Sequence, residues 1–112
     1  ATAGVHFAGV IEKLGIAAAI APRLRTFPNG MTAMAALSQA AEARPIGCTQ
    51  ITEIIASTGV ALVDALPQGF DLSTRYTAGV IALSANEMKA RDLVRLVTSE
   101  ASQDARRRAG FV

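Results

Sequence analysis

"STRYTAGVIALSANEMKARDLVRLVTS", Ser73 to Ser99, changes its period part-way along, and that change decides the fold class. Through Ser84 it is rich in Thr, Tyr, Val and Ile, the composition of a strand. Ser84 or Asn86 then offers a cap, and Ala90, Leu93, Val94 and Val97 recur at helical spacing. Glu87 stands four residues before Arg91, the favourable order for a helical ion pair. A strand leading directly into a helix is one unit of an alternating pattern.

The pattern repeats toward the N-terminus. "VALVDAL", Val60 to Leu66, is a nearly continuous apolar run suited to a strand covered on both faces, and Pro67-Gln68-Gly69 turns the chain after it. "IGCTQ", from Ile46, predicts a buried strand, and "ITEIIAS" a short helix closed near Gly59. "LRTF", Leu24 to Phe27, predicts a short strand stopped by Pro28-Asn29-Gly30; Met31, Met34 and Leu37 mark a helix that ends before Pro45. Phe7, Val10, Ile11 and Leu14 define the first helix, with Thr2 as N-cap and Gly15 as terminator. Beyond Thr98-Ser99 a last helix runs from about Glu100 to Ala109, with Asp104 and Arg108 spaced for a pair and Gly110 closing it. Strands alternating with helices predict an α/β fold. No repeat, low-complexity tract or linker divides residues 1–112, so a single domain is expected.

The chain is 112 residues long and half hydrophobic, but much of that half is alanine, which suits helices packed closely on a sheet. The net charge of +2 is small, and apart from Arg106-Arg107-Arg108 the basic residues are scattered. A nucleic-acid surface needs a broad basic stripe with stacking aromatics or base-reading side chains, so no nucleic-acid partner is expected. Cys48 is the only cysteine and His6 the only histidine, which rules out an internal disulfide and leaves no metal set or cofactor motif. The run Ile16 to Pro22 is too short to span a bilayer, and no basic segment followed by an apolar one marks a signal peptide. The single histidine leaves a catalytic triad unsupported, and Asp64 and Asp71 do not form an informative pair, so a non-enzymatic role is expected.

Three stretches resemble the second lobe of periplasmic solute-binding proteins of ABC importers, of the molybdate-binding type: "AGVHFAGVIEKLGI", "RPIGCTQITEI" and "TAGVIALSANEMKARDLVRLVTSEASQDARRRAGF". The last is the most specific, with a strand, a short turn, a helix ending in Val-Thr-Ser and a helix ending in Gly-Phe. The resemblance implies a type II periplasmic-binding-protein-like, three-layer lobe with a mixed, mostly parallel sheet flanked by helices. It also implies a periplasmic location, a small anionic solute and a transporter permease as partners. In that family a first lobe precedes this one and supplies half the cleft. Residues 1–112 are therefore expected to be one ligand-binding lobe of a two-lobed protein, with apolar surface left for a homodimer. Sensor domains of transcription regulators share this bilobal architecture, so a cytoplasmic effector-sensing module stands as the alternative.

Anion binding needs backbone N–H groups converging at the positive end of a helix, without competing carboxylates. Thr2-Ala3-Gly4 and Asn29-Gly30-Met31-Thr32 are two such helix mouths. The resemblance implies that Ala3 and Met31 give backbone N–H groups to the solute, with Thr2, Gly4 and Gly30 around them; ordinary capping by Thr2 and Asn29 is the other reading. Gln50 aligns where molybdate binders tend to carry a tyrosine, and its amide can both donate and accept. Thr49 and Thr52 flank it. A Gly30→Asp change is expected to repel an anion while leaving the fold largely intact. Tyr76 is expected in the core, Cys48 buried and inert, and Arg106 to Arg108 on a solvated helix face.

Overall fold

Every regular element among the described residues is helical. The computed structural model describes residues 2–111. In chain order it contains α1 (Thr2–Lys13), α2 (Ala17–Ile20), a 3-10 turn (Ala21–Arg23), α3 (Gly30–Ser38), α4 (Ile51–Ile55), α5 (Glu87–Thr98), a second 3-10 turn (Glu100–Ser102) and α6 (Gln103–Arg108). The expected α/β lobe with a mixed, mostly parallel sheet is therefore corrected: no strand or sheet forms among the described residues. The segments 46–50, 60–66 and 73–80 lie where strands were expected and carry no regular structure.

The physical reason is that a helix closes its hydrogen bonds within one segment, whereas a strand's are closed only by a neighbour in register. Among the described residues, segments 60–66 and 72–80 make no backbone–backbone hydrogen bond. Their Val, Ile and Leu content records a preference for a half-buried pleated surface, but cannot supply one. Ile46, Val63 and Leu83 accordingly stand 91%, 93% and 100% exposed. The helices at both ends and in the middle lie close to their expected positions. α2 went unpredicted, because "IAAAIAP" shows no period on which to base a helix.

The chain divides into two compact units, Ala1–Leu72 and Ser73–Val112. In the first, α1 ends at Gly15, whose φ of +69° is the left-handed conformation that terminates helices. The chain bends by 117° between Thr2–Lys13 and Ala17–Arg23, and no single helix among the described residues is long and apolar enough to cross a membrane. Val10 and Ile11 on α1 and Met34 on α3 are its buried apolar side chains. Close approach of backbone makes the α3 contacts: a Cβ added at Gly47 would lie 2.7 Å from Met34 Cε and 3.0 Å from Leu37 Cδ2. The Pro67–Phe70 turn is tied to α1 twice. His6 Nε2 donates to Phe70 O at 2.7 Å, the carbonyl being able only to accept. Lys13 Nζ donates to Gly69 O at 3.0 Å and lies 4.7 Å from the Phe70 ring centroid, so cation–π attraction adds to the bond.

In the second unit, α5 carries the expected pair: Arg91 Nε and Nη2 both donate to Glu87 Oε1, at 2.8 and 2.6 Å. Arg106 does not lie on a merely solvated face. Its Nη1 donates to Val97 O (2.7 Å), Ser99 O (2.9 Å) and Ser102 Oγ (2.5 Å), satisfying carbonyls left open at the end of α5. Tyr76 is exposed rather than packed in a core, and meets Phe111 edge-on with ring centroids 5.6 Å apart.

Candidate functional site

The mouth of α3 is built by three residues of "PNG". Asn29, in extended conformation, caps the helix: its Oδ1 accepts from Thr32 N at 2.9 Å and from Thr32 Oγ1 at 3.0 Å. Gly30 is buried at the first helical position, and Met31 follows it half-exposed. No acidic residue lies in the first turn of α3 or of α1. Among the described residues, the Gly30 and Met31 N–H groups make no backbone bond outside their helix.

What lies against this mouth comes from the start of α4. Thr49 Oγ1 donates to Glu53 Oε2, and both oxygens sit where a Gly30 Cβ would be, with Glu53 Cδ 2.6 Å from that position. Ser57 Oγ donates to Glu53 O at 2.8 Å and lies 3.9 Å from Met31 Sδ. Thr49, Glu53 and Ser57, spaced four apart, thus meet the beginning of α3, Glu53 from within α4 and the other two from the residues flanking it. That spacing was readable in the sequence. Without knowing that α4 packs on α3, nothing connected it to Gly30. The fold brings a carboxylate to a helix mouth whose own sequence is neutral.

Of the residues expected to bind a ligand, Gly30 and Met31 begin α3, which packs on α4, and Gln50 is the residue preceding α4. Thr2, Ala3 and Gly4 form the first turn of α1, with Thr2 inside the helix rather than before it. Among the described residues they make no hydrogen bond to Gly30 or Met31. The crowding at Gly30 also changes its expected substitution. Any side chain there must displace the Thr49–Glu53 pair, so Gly30→Asp perturbs packing as well as charge.

Cys48 is half-buried two residues before Gln50, and burial pushes its thiol above the ordinary range, which disfavours the reactive thiolate. Among the described residues, no three His, Cys, Asp or Glu side chains converge as a metal set. The second unit has a shallow groove of about 420 Å³ lined by Ala78, Val80, Arg91, Val94 and Arg95. Both of its guanidiniums are already paired along α5, Arg91 with Glu87 and Arg95 with Asp92.

Against this geometry, the whole chain, residues 1–112, matches the family model of the bacterial extracellular solute-binding proteins. The chain belongs to that family. No curated protein and no solved structure matches it.

Proposed function

We propose that this chain is part of the solute receptor of a bacterial ABC importer, acting in the periplasm by binding rather than by catalysis. Membership of the solute-binding family over the whole chain is the observation that carries the reading. The proposed ligand is a small solute with a negative group, either an oxyanion of the molybdate kind or a small carboxylate. Its negative group sits at the helix mouths Thr2-Ala3-Gly4 and Gly30-Met31, with the Gln50 amide beside it. Support comes from the positive end of the α3 dipole and from the lack of acidic residues in the first turns of α1 and α3 themselves; the Glu53 carboxylate seated beside Gly30 weighs against a multiply charged anion there. The family's extracellular character favours a receptor over a cytoplasmic sensing module.

Residues 1–112 act in this reading as one lobe, which encloses a ligand on one side. Its exposed apolar residues, among them Ile46, Val63 and Leu83, are surface that a partner covers, and a second copy of the chain is the proposed cover. Sedimentation at micromolar concentration is expected to show a dimer; a monomer at every concentration refutes that cover. Calorimetry across inorganic oxyanions and small carboxylates tests the ligand. Binding of at least one class is expected, and heat from none of them overturns the anion reading.

A further inference from the structure

We draw no further inference here: the strongest candidate, the exposed apolar face of α5 formed by Leu93, Leu96 and Val97, carries nothing because nothing in the structure shows what covers it.

Discussion

Gly30→Ala is the sharpest probe of how the first unit holds together. An alanine methyl would lie 2.6 Å from Glu53 Cδ and closer still to Glu53 Oε2 and Thr49 Oγ1. Glu53 is a flexible side chain and can swing away, but Thr49 is short and lies two residues before α4. Yielding therefore breaks the Thr49–Glu53 bond, at about 0.5–1.5 kcal/mol, and leaves overpacking of about 1–3 kcal/mol. Acting in the other direction, alanine gains up to about 1 kcal/mol over glycine in a helix. The expected balance is a loss of about 1–3 kcal/mol, or roughly 4–8 °C in Tm for each kcal/mol in a chain of this size. Urea and thermal unfolding followed by circular dichroism measure it. The same substitution in a Glu53→Ala background should cost less, with a coupling of at least about 1 kcal/mol, because part of the obstacle is gone. Equal or greater stability in Gly30→Ala, or strict additivity in the cycle, would refute the close approach at Gly30.

Two further outcomes follow from the same geometry. Arg106→Ala should lower the helical signal of the second unit and cost about 1–3 kcal/mol, since one guanidinium nitrogen serves Val97 O, Ser99 O and Ser102 Oγ; an unchanged spectrum and midpoint would contradict the capping role. Cys48 should react with iodoacetamide more slowly than free cysteine near neutral pH, because burial holds its thiol protonated. The native state then holds a proton that the unfolded chain releases first, so stability falls as pH rises above the ordinary thiol range. A reaction rate equal to that of free cysteine would show that the thiol is not shielded.

The helices were legible because their causes are local. Asn29 is visible as a cap with Thr32 three residues on, Gly15 as a terminator, and Glu87–Arg91 as a pair at four. The family was legible too, since order and spacing along the chain survive without any knowledge of packing. The strands were not. Val60 to Leu66 has a strand's composition, but a ladder is a property of two segments, and none forms here among the described residues.

Local spacing and order along the chain were enough for the capped helices, the neutral first turn of α3 and the solute-binding family. What stands beside that first turn depends on packing. Residues 30 and 53 are distant in the chain, so the neutrality of "PNGMT" says nothing about a carboxylate carried there by another helix. Charge acts through space, and α4 packing on α3 places Glu53 against Gly30 where the sequence showed an empty neighbourhood.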